Sequence, residues 1–278
     1  MTVHTIDTGL FKLDGGAMFG VVPKALWNKQ NPADENNRCT WAMRCLLLET
    51  GNRLVLVDTG LGDKQDSRFF SHYEPHGDAS LPDSIKKAGF SETDVTDVLL
   101  THLHFDHVGG AVRREGEKLR PTFPNALYWC HGGHWQWATQ PNPREKASFL
   151  SENILPLQES GQLHFVDETP FLLSDNSFLF VDGHTEKMTL PIIRVGGRTV
   201  AFVADLIPSA AHISLPWVMS YDVRPLITME EKARLLRQAA EEDWVLVFEH
   251  DPVTEAATVE ETEKGVRIRE RGRLMDFI

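Results

Sequence analysis

The short apolar run VTDVLL delivers the chain directly into THLHFDHVGG, residues 101–110, where three histidines and an aspartate fall within six positions and two glycines close the segment. A buried strand ending in so many titratable side chains constrains the fold strongly, because the strand must reach the edge of its sheet there and the side chains must share a task at that edge. Alternation along an extended strand end puts His102 and His104 on one side, where both imidazoles can bind one metal, and directs Asp106 and His107 to a neighbouring position. Imidazole and carboxylate suit zinc, iron, manganese or cobalt, and one cation does not easily use all four groups. Gly109 and Gly110 are expected to ease a tight turn that folds the loop back toward a helix N-terminus. A polar loop whose histidines only hydrogen-bond the backbone is the plain alternative, and it suits a lone histidine better than this cluster.

The same pattern recurs later: His184 ends FLFVDGH, Asp205 lies in VAFVADL and His250 ends VLVFEH, each directly after an apolar run. Any one of them alone also suits a turn cap or a buried carbonyl partner. Strand ends gather at one edge, and the combined set of five histidines and two carboxylates is enough for two adjacent metals, each with an open position.

The remaining pattern supplies the scaffold. RCLLLETGNRLVLVDTG reads as a hairpin turning at Gly51 and Asn52 and ending at Asp58. GGHWQWAT and PREKASFLSENILPL read as helices, the second with Phe149, Leu150, Ile154 and Leu157 in one stripe. MTLPIIRV and RTVAFVADL are strand-like, joined at Gly196 and Gly197. TMEEKARLLRQAAEED predicts a helix opened by a capping box, Thr228 with Glu231, with Met229, Ala233, Leu236 and Ala240 on its sheet-facing side. Short buried strands with interspersed helices give an α/β class, two packed sheets with helices outside, although an open α/β sheet has the same periodicity. The 278 residues show no linker composition, so a single domain over 1–278 is expected.

Charge and composition narrow the partners. With 40 acidic against 28 basic residues, the net charge of -12 disfavours nucleic acid. No apolar stretch is long enough to span a bilayer, and MTVHTIDTGLFKLDGG lacks the basic and apolar regions of a secretory signal, so a cytoplasmic protein without a membrane partner is expected. Cys39, Cys45 and Cys130 are an odd number at unrelated spacings, which fits reduced structural thiols. Residues 15–40, opening with GGAMFGVVPKALWNKQNPADENN, are too irregular for a sheet strand and read as a lip over the metals. Met18, Phe19 and Trp27 are the candidate lining of an apolar acyl or aromatic pocket, joined by Trp135 and Trp137; the same aromatics also suit a core or a dimer contact.

HLHFDH, with the later His184, Asp205 and His250, resembles the metallo-β-lactamase superfamily over most of the chain. That resemblance implies an αβ/βα four-layer sandwich, with two mixed β-sheets flanked by helices and a dinuclear metal edge. It implies that His102, His104 and His184 bind the first metal, that Asp106, His107 and His250 bind the second, and that Asp205 bridges them. Asp58, in LVDTG, matches an aspartate that supports the metal loop by hydrogen bonding without being a ligand. Two divalent ions are implied, zinc first and manganese, iron or cobalt as alternatives.

Departures separate the subgroups. The best-known zinc β-lactamases have a cysteine where Asp205 stands; flavodiiron proteins have glutamate for the second histidine and an added flavodoxin domain; RNA-processing nucleases are at odds with the net acidity; and glyoxalase II enzymes carry a helical extension for which the short tail leaves little room. The chain is more similar to quorum-quenching lactonases and organophosphate hydrolases. The implied reaction is hydrolysis of a lactone or carboxylic ester by water activated between the metals, with a phosphotriester as the alternative substrate. A single-iron enzyme similar to the persulfide dioxygenases, and a metal-containing sensor, are readings from other classes. Several acyl-homoserine lactonases carry a tyrosine three residues beyond the bridging aspartate, where this chain has Pro208. His212 in SAAHIS and Tyr221 in VMSYD are candidates to donate the proton or hydrogen bond instead, and Asp106 to shuttle it. Both a monomer and a homodimer stay open.

Overall fold

In the computed structural model, which describes residues 1–167 and 177–278, β1 (Thr2–Asp14) leads through α1 (Gly15–Phe19) and α2 (Lys24–Trp27) to β2 (Arg38–Thr50) and β3 (Arg53–Val57). The β2–β3 hairpin has the register its pattern predicts: Thr50 faces Arg53, and Gly51, at φ 58°, makes the turn. Next come α3 (Ser67–Tyr73), α4 (Leu81–Lys87), β4 (Asp97–Leu99), α5 (Phe105–Val108), a hairpin of β5 (Val112–Glu115) and β6 (Lys118–Pro121), β7 (Leu127–Cys130), α6 (Gly132–Thr139), α7 (Ser151–Glu159) and β8 (Leu163–Phe165). The first sheet runs β1-β2-β3-β4-β7-β8, and β3, β4, β7 and β8 are mutually parallel. Parallel strands need helical crossovers and are buried on both faces, which is why LVLV, DVL and LYWC are almost wholly apolar. Leu56, Val98, Tyr128, Trp135, Phe149 and Ile154 belong to one core cluster here.

The second sheet is formed by β9 (Ser177–Val181), β10 (Met188–Val195), β11 (Arg198–Phe202), β12 (Val245–Val247), β13 (Ala256–Thr262) and β14 (Gly265–Gly272), in the order β14-β13-β12-β11-β10-β9. Strands β11 and β12 are parallel, joined through α8 (Pro225–Glu241), whereas β10–β11, β12–β13 and β13–β14 are antiparallel. Gly196 and Gly197, at φ 58° and 77°, make the β10–β11 turn as read from sequence.

Two helix readings are corrected. The segment from Pro143 does not form one helix: Asn142 Oδ1 accepts from the amides of Arg144 and Glu145, closing a separate turn, and α7 starts only at Ser151, beyond Phe149 and Leu150. Helix α8 begins at Pro225, whose missing N–H costs nothing at a first position, and Arg224 caps it without a side-chain bond. Thr228 and Glu231 are therefore inside the helix and form no capping box. The buried face is Thr228, Glu231, Lys232, Leu235, Leu236 and Ala239, one step around from the expected Met229, Ala233, Leu236 and Ala240. Apolar periodicity misplaces that face because two of its residues are charged and satisfied by backbone groups.

The described residues divide into two compact units: residues 1–9, 43–167 and 187–189 in one, and 10–42, 177–186 and 190–278 in the other. Three of the passages between units, at 9–10, 42–43 and 189–190, fall inside the strands β1, β2 and β10, where no linker composition exists to be read. Cys39, Cys45 and Cys130 are buried and form no disulfide. Among the described residues, no helix is long and apolar enough to cross a membrane.

Candidate metal centre

In the first unit, β3 and β4 run parallel with Val57 opposite Leu99, so both chains leave the sheet at the same edge. Asp58 leaves β3 at φ 58°, a left-handed conformation that aspartate tolerates better than most residues. Its buried carboxylate accepts from the Thr101 amide at 2.8 Å and the Thr101 hydroxyl at 2.6 Å, and lies 3.2 Å from His107 Nδ1. Thr101 Oγ1 in turn lies 3.1 Å from His102 Nδ1, so the hydroxyl that donates to Asp58 accepts from this imidazole and leaves His102 Nε2 with a lone pair. That nitrogen is 3.1 Å from His104 Nδ1, two donor atoms converging on one spot as ligands of a single cation would. On the far side of the His104 ring, Nε2 is 3.5 Å from Glu145, a buried carboxylate held by Trp137 Nε1 and Asn142 Nδ2. Asp106 and His107 follow on α5, with Asp106 Oδ2 3.9 Å from His107 Nε2.

The loop is fastened along its length. Thr59 donates its amide and its hydroxyl to the His107 carbonyl, both at 2.8 Å, and buried Lys64 donates to the Gly109 carbonyl. Gly109 and Gly110 matter for closeness rather than for a special φ: a Cβ on Gly109 would stand 2.0 Å from the Leu61 carbonyl oxygen, and one on Gly110 2.2 Å from that of Thr59.

The second unit repeats the device. Parallel β11 and β12 pair Phe202 with Val247, so Asp205 and His250 emerge from the same edge, and Ala204, at φ 39°, makes the left-handed step before the aspartate. One Asp205 oxygen lies 3.1 Å from His184 Nε2 and the other 3.0 Å from His250 Nε2. The opposite nitrogens are already committed, His184 Nδ1 to Asp222 at 3.0 Å and His250 Nδ1 to the Ala42 carbonyl at 2.8 Å. Burial opposes charging His184, but Asp205 and Asp222 outweigh it and raise its pKa to about 10. Imidazoles fixed through Nδ1, with Nε2 turned to a shared carboxylate, are a donor set that suits a divalent cation.

The proposed pocket and proton donors fare differently. Met18, Phe19 and Trp27 are fully buried; Phe19 stacks on Trp27 at 5.3 Å and on His212 at 4.7 Å, so these side chains are core of the second unit and not an open lip. His212 is buried with Nδ1 on the Ser209 hydroxyl at 2.7 Å and Nε2 on the Met18 carbonyl at 2.8 Å, and burial drives its pKa down to about 3. Both nitrogens are occupied in a neutral ring, which removes it as a proton donor. Trp135 belongs to the core of the first unit, and Trp137 serves Glu145. Tyr221 is exposed. Sequence reasoning missed Asp222 and Glu145, which stand in SYDVRP and PREKA without any spacing or strand end to mark them.

Residues 44–250 match the family model described as the metallo-β-lactamase superfamily. The chain belongs to that superfamily, has its fold of mixed sheets flanked by helices, and is a metallo-hydrolase of a family that uses divalent metal ions. It is 25% identical to a probable metallo-hydrolase of Mycobacterium bovis, over 74% of each chain. A probable metal-dependent hydrolase from Staphylococcus aureus superposes with a TM-score of 0.87 at 27% identity, covering 97% of this chain and 95% of that one. AidC, described as a dizinc quorum-quenching lactonase in complex with a product, superposes with a TM-score of 0.80 at 23% identity, covering 98% and 95%.

Proposed function

We propose that this chain is a dinuclear metal-dependent hydrolase that opens lactones or carboxylic esters, with zinc as its resident metal. The observation that carries the reading is the Asp205 carboxylate, one oxygen on His184 and the other on His250, an arrangement suited to bridging two cations. In this reading His102, His104 and His184 hold one ion, and Asp106, His107 and His250 hold the other. Two bound divalent ions would supply activated water near neutral pH and polarise the substrate carbonyl. The chain's own residues do the rest. Asp58 fixes the ring of His107 and, through Thr101, that of His102; Asp222 and the Ala42 carbonyl do the same for His184 and His250; and Asp106 takes up the proton released by the attacking water. Similarity to AidC supports a lactone as substrate class, and a small-molecule ester fits the same chemistry.

The test is metal analysis of the purified protein, paired with turnover of acyl-homoserine lactones, aryl esters and aryl phosphotriesters. Two zinc ions per chain with lactone or ester cleavage is the expected result. Triester cleavage alone would move the assignment to phosphotriesterase chemistry, and a single iron without hydrolysis would overturn it.

A further inference from the structure

β9 ends at Val181, and the chain must place Asp182 and Gly183 before the imidazole of His184. Those residues are held by the N-terminal half of α8 and the segment before it. Glu231 accepts from the Asp182 amide at 2.8 Å with one carboxylate oxygen and from the Gly183 amide at 3.0 Å with the other. The Arg224 amide donates to the Gly183 carbonyl at 2.9 Å, and the Val223 amide to that of His184 at 3.1 Å. Arg224 also reaches the Asp182 carbonyl at 2.6 Å and Glu186 at 2.7 Å. Gly183 lies so close to the helix that a Cβ there would stand 2.3 Å from the Thr228 amide nitrogen.

Glu231 is 6% exposed, on the same helix face as Leu235, Leu236 and Ala239. A carboxylate in such a place is costly unless both oxygens are satisfied, and here they are satisfied by two successive amides whose next residue is His184. A fork of this kind fixes the direction as well as the position of the peptide planes it grips. Asp222 then sets the rotation of the ring about its own axis, through Nδ1.

We propose that Glu231 is a positioning residue for the metal centre: by gripping the amides of Asp182 and Gly183 it preorganises His184, and so sets the affinity of the ion that His184 binds. This inference rests on the reading of His184 as a metal ligand. Glu231→Gln is the informative change, since the amide keeps the shape but turns an N–H toward one of the two amide donors. Leu235→Ala, on the same buried face, removes apolar packing and none of the hydrogen bonds to residues 182–184, and His184→Ala marks the complete loss of the ligand.

Zinc is titrated into each metal-stripped protein against a chromophoric chelator, and thermal unfolding is recorded with and without zinc. In wild type two ions are taken up. In Glu231→Gln the affinity for one ion is expected to fall by about 10–100-fold with the other unchanged, and the zinc-dependent gain in Tm to shrink. In Leu235→Ala, Tm falls equally with and without zinc and both affinities stay at the wild-type values. Wild-type affinities in Glu231→Gln, with Tm lowered equally in both forms, would make Glu231 a purely structural residue and overturn the inference, while loss of an ion from His184→Ala would leave the metal reading intact. Wild-type protein that takes up no zinc would sink both.

Discussion

Asp58 carries several duties on one buried side chain: it anchors the Thr101 amide, receives the Thr101 hydroxyl and faces His107, all from a left-handed backbone. Asparagine tolerates the same backbone, so Asp58→Asn isolates the charge and the acceptor geometry. The expected result is about a 10–100-fold loss of affinity for the ion that His107 is proposed to hold, read by chelator competition. His212 gives a second residue-level prediction. Its folded pKa of about 3 lies below the ordinary value of 6.5, so between these limits the unfolded chain binds a proton that the folded chain refuses. Its contribution is therefore complete above about pH 6.5 and is lost as pH falls toward 3, with a slope approaching ~1.4 kcal/mol per pH unit. Urea unfolding of metal-stripped protein between about pH 7 and pH 5 should show a shallower slope in His212→Phe than in wild type, and equal slopes would mean that the folded state accepts the proton.

At the scale of elements, the strand exits are what the sequence makes legible. Each apolar run that ends in Asp58, His102, Asp205 or His250 is a strand whose parallel pairing brings two such ends to one edge. Parallel pairing and apolar composition have the same physical cause, burial on both faces, so the pattern could be read without coordinates. The orienting carboxylates Asp222 and Glu145 could not, because they lie in turns where any polar residue is ordinary. The misread capping box has the opposite origin: Thr228 and Glu231 have the right spacing, but Pro225 starts the helix earlier and Glu231 is used elsewhere. Gly109 and Gly110 pack against the backbone of Leu61 and Thr59. Gly109→Ala and Gly110→Ala should each cost about 2 kcal/mol or more, because the obstructing atoms are backbone carbonyl oxygens that cannot rotate away. Gly51→Ala, whose Cβ would meet nothing within 4 Å, should cost only the left-handed penalty of about 1 kcal/mol, and chemical denaturation compares the three.

For the whole molecule, removing the metals should lower Tm by several degrees, and adding zinc back should restore it, because ions bound only by the folded chain stabilise it by mass action. An unchanged Tm after chelation would count against tightly held ions. The fold class was legible, since it follows from strand and helix patterning; the division into compact units was not, since passages at 9–10, 42–43 and 189–190 fall inside strands. The lip was misjudged because aromatic residues in an irregular stretch look the same whether they line a mouth or stack in a core, and only Phe19 against His212 and Trp27 decides it. One further consequence follows from how the rings are held. His102, His107, His184 and His250 all have Nδ1 engaged by oxygen, whereas His104 turns Nδ1 toward His102 and Nε2 toward Glu145. With a cation on Nδ1, His104 would carry its proton on Nε2, opposite to the other four rings, so nitrogen chemical shifts of isotopically labelled histidine would tell zinc uptake at His104 from uptake at the others.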